Sequence, residues 1–324
     1  MIGLTPPLEG GSQRHIYELS KRIDCDVLTQ KGSICDNKIE VNPSGHIMFA
    51  LAVYLWTIRL MFGKKKYDII HIHENILYFL APILCMRYKI IITAHGLKGF
   101  KFYDWNILWI FFGLALEYSD VIITVNTADQ YLLRAYKNVI YIPNGVDLSL
   151  YSNKKYPVEN KIIYIGRIHQ QKGIDILLKA LPEDIQLDII GDDNNEYAAM
   201  LKCHNKKITW LGSIEDRNEI VKRLMSAYMI VLPSRWEGLP LTLFESLASG
   251  RPVIVSDIPA FKSVVTDNNN AVFFESENEK DLNLKIFKLI DNSIFADEIG
   301  KEGKKLAEQY DWNMIAEKTK EIYG

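Results

Sequence analysis

Twelve apolar runs of strand length recur along this chain with helical stretches between them, and few architectures satisfy that alternation. In the first half they are Met1–Thr5, Asp26–Thr29, Ile69–Ile72, Ile90–Thr93, Val121–Val125 and Val139–Ile142. In the second half they are Ile162–Ile165, Leu187–Ile190, Ile208–Leu211, Met229–Leu232, Pro252–Val255 and Ala271–Phe274. Strands alternating with helices predict parallel sheets covered on both faces, an α/β chain. At 324 residues the chain exceeds what one core usually supports, so two domains are expected. The polar stretch Ser152–Asn160, after Asn144-Gly145-Val146-Asp147, places the boundary near residues 148–160. The segment Glu302–Tyr323 reads as one closing helical stretch.

Such sheets bind ligands at the carboxyl ends of their strands, and the chemistry-bearing motifs follow predicted strands. Lys161–Ile165 ends in Gly166-Arg167, and the loop continues through Lys172-Gly173 into a helix. Arg167 can fork onto two phosphate oxygens and Lys172 adds a point charge, a combination suited to a diphosphate. Farther on comes Glu237-Gly238-Leu239-Pro240-Leu241, with Glu245 inside the helix expected over 240–249. Pro240 suits a first turn, while Gly250 and Pro252 supply a stop. The loop before that helix start can meet an anion or sugar hydroxyls with backbone N–H groups. Gly10-Gly11 sits where the first strand turns into a helix, and His95 follows another strand beside Gly96.

Gly166-Arg167, Lys172-Gly173 and Glu237-x7-Glu245 together resemble the retaining glycosyltransferases of family 4, which have the GT-B fold. Further similarities are Gly10-Gly11, Asp68-Ile-Ile-His-Ile-His73, Thr93-Ala-His95-Gly96, Ile142-Pro-Asn-Gly-Val-Asp147 and Ser249-Gly-Arg-Pro-Val253. The resemblance implies GT-B architecture, two Rossmann-like domains with parallel sheets facing a central cleft. It implies an acceptor domain at 1–149, a donor domain at 150–305 and a C-terminal helix at 306–324 crossing back to the first. It also implies roles: Arg167 and Lys172 on the donor diphosphate, Glu245 on the ribose, Glu237 and His95 at the transferred sugar. Gly10, Gly11 and Gly166 would admit the donor closely, and N–H groups of Gly238, Leu239 and Leu241 would complete its pocket. The implied partners are a nucleoside-diphosphate sugar and a glycan or lipid-linked acceptor, with no cofactor. Alternatives of similar fold are a nucleotide-sugar epimerase, a phosphorylase, or an inactive membrane-associated scaffold. The family's first strand is usually longer than the one at Met1, which leaves a truncated start as an expectation.

Several classes are disfavoured. A net charge of −2 does not suit nucleic-acid binding. Cys25, Cys35, Cys85 and Cys203 have no metal or disulfide spacing, which suits a reducing, cytoplasmic setting. Asp24-Cys25-Asp26 is read as a coincidental match to a metal-binding Asp-x-Asp. His71 and His73 share a strand face with only Glu74 beside them, so no metal is expected. Ile47–Phe62 is too short to span a bilayer, yet it is followed by Lys64–Lys66, and a second apolar run covers Trp105–Leu116. Two readings stay open for these runs, buried helices or peripheral docking on an anionic membrane surface at the inner face of the cell membrane.

Overall fold

The computed structural model describes residues 1–5, 10–41, 46–64, 67–97, 106–202 and 207–324. Lys65, Lys66, Trp105 and Cys203, which entered the sequence reading, lie outside them. The chain divides into two compact units, Met1–Asn144 with Trp312–Gly324, and Gly145–Asp311.

The first unit carries β1 (Val27–Gln30), β2 (Lys38–Val41), β3 (Ile69–Ile72), β4 (Lys89–Ala94), β5 (Val121–Thr124) and β6 (Val139–Tyr141). Its helices are α1 (Gly11–Ser20), α2 (His46–Phe62), α3 (Ala81–Leu84), α4 (Asn106–Glu117) and α5 (Thr127–Leu132). The strands run parallel, β1 beside β2 and β3 through β6 in order. Ile2 bridges both Leu28 and Ile72, joining the two sets. The first strand expected over Met1–Thr5 is thus reduced to a bridge. Its pairing stops at Gly3, where α1 presses so closely that a Cβ would stand 2.5 Å from Ile16 Cδ1.

The second unit carries β7 (Lys161–Ile165), β8 (Gln186–Ile190), β9 (Ile208–Trp210), β10 (Met229–Leu232), β11 (Val253–Ser256) and β12 (Val272–Phe274). Its helices are α6 (Ile174–Ala180), α7 (Glu196–Leu201), α8 (Arg217–Ser226), α9 (Leu241–Ala248), α10 (Pro259–Lys262), α11 (Glu279–Asp291) and α12 (Ser293–Ala307). Strand order β12-β11-β10-β7-β8-β9, all parallel, makes a doubly wound sheet whose order reverses between β7 and β10. Ile162, Ile163, Met229, Ile230 and Val231 are fully buried there, as both faces are covered.

The closing helical stretch is broken. α12 ends at Ala307, a 3₁₀ turn covers Glu308–Tyr310, and α13 (Trp312–Tyr323) belongs to the first unit. The crossings fall at Asn144/Gly145 and Asp311/Trp312 rather than at 149/150 and 305/306. The reason is local: Val146 pairs with Asp311, its N–H donates to Tyr310 O at 2.8 Å, and Val146 and Tyr151 are buried in the second unit's core. Pro240 is not in the first turn of α9 but caps it, with an extended ψ of 136°. Gly250 supplies the expected stop in a left-handed conformation, φ 72°.

α2 is apolar all round, and the structure separates its faces. Phe49, Val53, Thr57 and Leu60 are buried, whereas Met48, Leu51, Leu55, Ile58 and Phe62 are exposed. No described helix is long and apolar enough to cross a membrane.

Candidate functional site

Because β7 and β10 are neighbours at the reversal point, the loops leaving their carboxyl ends meet. Arg235 N–H donates to Gln171 O at 2.8 Å, and Gln171 Nε2 donates to Trp236 O at 2.8 Å. Gly173 has φ 64°, and a Cβ there would lie 2.0 Å from Pro233 O, so only glycine permits this approach. The charged side chains follow from it. Lys172 Nζ is ion-paired with Glu237 Oε1, which also accepts from Ser234 Oγ at 2.7 Å. Both members of the pair are largely buried. Arg167 is exposed and reaches Gln171 Oε1 at 3.4 Å. Gly166 opens this loop and Gly238 closes the facing one; the Leu239 side chain is buried in the core.

Arg235, absent from the sequence reading, clamps the two loops. It donates to Asp175 Oδ1 and Oδ2 at 2.9 and 2.8 Å, to Gln170 O at 2.6 Å and to Glu277 at 2.5 and 3.0 Å. Burial pushes the Asp175 carboxyl up, but hydrogen bonds from Arg235 and Tyr197 outweigh it and leave the group below its usual range. Glu245 lies in α9, buried and ion-paired with Arg217 of α8. Sequence reasoning also missed that partner, which lies on a helix with no motif of its own. Leu241 begins α9, whose first-turn N–H groups have no acceptor within the helix.

In the first unit, Gly10 and Gly11 open α1, and His95 follows β4. His95 lies in a cluster of imidazoles. His73 Nδ1 is 3.2 Å from His95 Nε2, and the His15 ring is 4.8 Å from that of His95. His15 Nδ1 meets Asn144 Oδ1 at 2.9 Å, and Trp312 of α13 stands edge-on to the same ring at 5.2 Å. His71 is engaged at both nitrogens, by Tyr323 OH at 2.7 Å and Thr93 Oγ1 at 2.6 Å. Burial lowers all four: His15 to about 4 despite its bond to Asn144, and His71, His73 and His95 well below their ordinary value. The rings are therefore neutral near pH 7. The backbone after His95 is held by buried Asp129, which accepts from Gly96 N at 2.9 Å and Leu97 N at 3.1 Å.

The geometry places a cation-bearing pair of loops at the reversal point of a doubly wound sheet, and comparison with known proteins is consistent with it. The Glycosyl transferases group 1 pattern matches residues 150–306, and the Glycosyltransferase Family 4 pattern matches residues 9–150. An uncharacterized glycosyltransferase of Methanocaldococcus jannaschii is 30% identical over 347 residues, covering 98% of this chain and 95% of that protein. A phosphatidyl-myo-inositol mannosyltransferase of Mycobacterium leprae is 26% identical over 200 residues, 57% of this chain and 53% of that protein. Among solved structures, the sucrose-phosphate synthase of Thermosynechococcus elongatus superposes with TM-score 0.81 at 19% identity, covering 99% of this chain and 94% of that one. Anabaena HepE, solved with UDP and glucose, gives 0.80 at 18% identity, covering 99% and 98%. The architecture is GT-B, and the chain belongs to the group 1, family 4 glycosyltransferases and is an enzyme of glycosyl transfer.

Proposed function

We propose that the protein moves a sugar from a nucleoside-diphosphate sugar to an acceptor hydroxyl, with retention of anomeric configuration and without a metal ion. The observation that carries this is the juxtaposition of Arg167 and Lys172 with the Ser234–Glu237 loop at the β7/β10 reversal point. The diphosphate competes with Glu237 for Lys172, and Arg167, already exposed, takes the phosphate oxygens. As the bond from the anomeric carbon to the phosphate oxygen breaks, negative charge grows on the leaving group, and these fixed cations stabilise it. The acceptor oxygen bonds to that carbon from the same face, and its proton passes to the departing phosphate oxygen. Released from Lys172, Glu237 accepts hydrogen bonds from sugar hydroxyls; Glu245 holds the ribose; His95 binds the sugar.

The acceptor we infer is a lipid-linked or membrane-surface glycan in polysaccharide or glycolipid assembly, met at the cytoplasmic membrane face. The exposed apolar row of α2 supports it, together with exposed Ile76, Ile83 and Met86 and the cations Arg59 and Lys64. The Mycobacterium leprae relative is, by its name, a phosphatidyl-myo-inositol mannosyltransferase. A thermal-shift screen of nucleoside diphosphates and their sugars tests the donor, since a bound donor raises stability with the logarithm of its concentration. No shift with any of them rejects the reading. Retention is checked by NMR of the product anomer, metal independence by turnover in EDTA, and the acceptor by sedimentation with anionic vesicles.

A further inference from the structure

We propose that His15, His73 and His95 form a binding site for a divalent transition-metal ion of the zinc class. The three come from α1 and from the ends of β3 and β4, and one ring nitrogen from each lies within 4.8 Å of the others. In a tetrahedral zinc site with bonds of about 2.05 Å, ligand nitrogens stand about 3.3 Å apart and imidazole centroids about 5.2 Å apart. Here His73 Nδ1 and His95 Nε2 are separated by 3.2 Å. The three centroid distances are 4.8, 5.5 and 5.6 Å. The ring centroids thus stand near the separations one ion requires, and the ligand nitrogens, within 4.8 Å of one another, would draw in around it.

The surroundings fit as well. Asn144 Oδ1 accepts from His15 Nδ1, which leaves Nε2 with its lone pair, the outer-shell arrangement that orients metal-bound imidazoles. His71 is excluded as a ligand, since Tyr323 and Thr93 occupy both its nitrogens. Three imidazoles, with no carboxylate or thiolate in the cluster among the described residues, select zinc, cobalt, nickel or copper over magnesium or calcium, and leave a fourth position open. The ion is not needed for transfer. It occupies the ring that the proposed function gives to the sugar, so on that reading it inhibits.

Titrating chelator-treated, tag-free protein with Co2+ tests the site. The expected result is visible absorption of four-coordinate cobalt that saturates at one equivalent, is displaced by Zn2+, and is lost in His15→Ala and His73→Ala. Because these side chains are buried, zinc-edge X-ray absorption on the unaltered protein gives a second reading, with imidazole scattering from three ligands expected. Absence of one-equivalent uptake, or a thiolate-to-cobalt charge-transfer band, overturns the proposal. Turnover separates it from the function: metal uptake with Zn2+ inhibition supports both, and uptake with unchanged turnover keeps the site but removes His95 from the sugar.

Discussion

Lys172 and Glu237 neutralise one another across the two loops at the β7/β10 reversal point, with Ser234 donating to the same carboxylate oxygen. The cation suited to a diphosphate is therefore already held in place. It also carries part of the local stability.

Lys172→Ala should consequently do more than stop turnover. Sequence alone suggests a large rate loss with the fold intact, but the largely buried Glu237 would be left without its cation, at about 3 kcal/mol or more. Lys172→Ala/Glu237→Ala should recover much of that stability and none of the activity. Urea unfolding of the single and double variants checks it; additive losses would show the pair to be uncoupled.

Arg235→Lys keeps the charge and loses the planar fork that holds Asp175 and Glu277 together. A loss of about 1–3 kcal/mol and a weaker donor affinity are expected, because the Gln170–Lys172 loop loses its anchor. Calorimetric titration with the donor found in the screen measures the second effect.

Asp129→Asn should misplace His95 without touching it. The buried carboxylate accepts from two successive N–H groups after His95, and an amide cannot reproduce that with both ends. Turnover should fall about tenfold to a hundredfold, as small displacements near reacting atoms do, with little change in donor affinity. Unchanged turnover would remove this positioning role.

Acid stability should report the Asp175 clamp. Its carboxyl is held below its ordinary 3.8, so just under that pH the unfolded chain binds more protons than the folded one. The stabilisation is complete above pH 3.8 and is lost as pH falls through the folded value. Asp175→Asn should flatten the slope of unfolding free energy below pH 3.8 but not abolish it. Asp257, lowered chiefly by the Ser276 N–H, titrates in the same window.

The parts of the fold legible in the sequence are those made by neighbours. The runs Ile69–Ile72 and Met229–Leu232 became strands with those limits, because a β-branched stretch buried on both faces has few other options. β2 escaped because Lys38-Ile-Glu-Val alternates and is only half covered. The motif around Glu237 pointed to a loop before a helix, but not to Arg235 as a clamp, since Asp175 and Glu277 are 60 and 42 residues away. His15 and Arg217 stayed hidden for the same reason. Each carries no local signal, and its meaning comes from a partner the sheet order brings near.

The first unit is closed by Trp312 against His15 and Tyr323 on His71, although both belong to a helix made after the whole of Gly145–Asp311. On a ribosome adding roughly 5–20 residues per second, that interval is on the order of ten seconds or longer. Throughout it the first unit exists without its last helix. The whole of the later unit is therefore synthesised before the earlier one has all its parts.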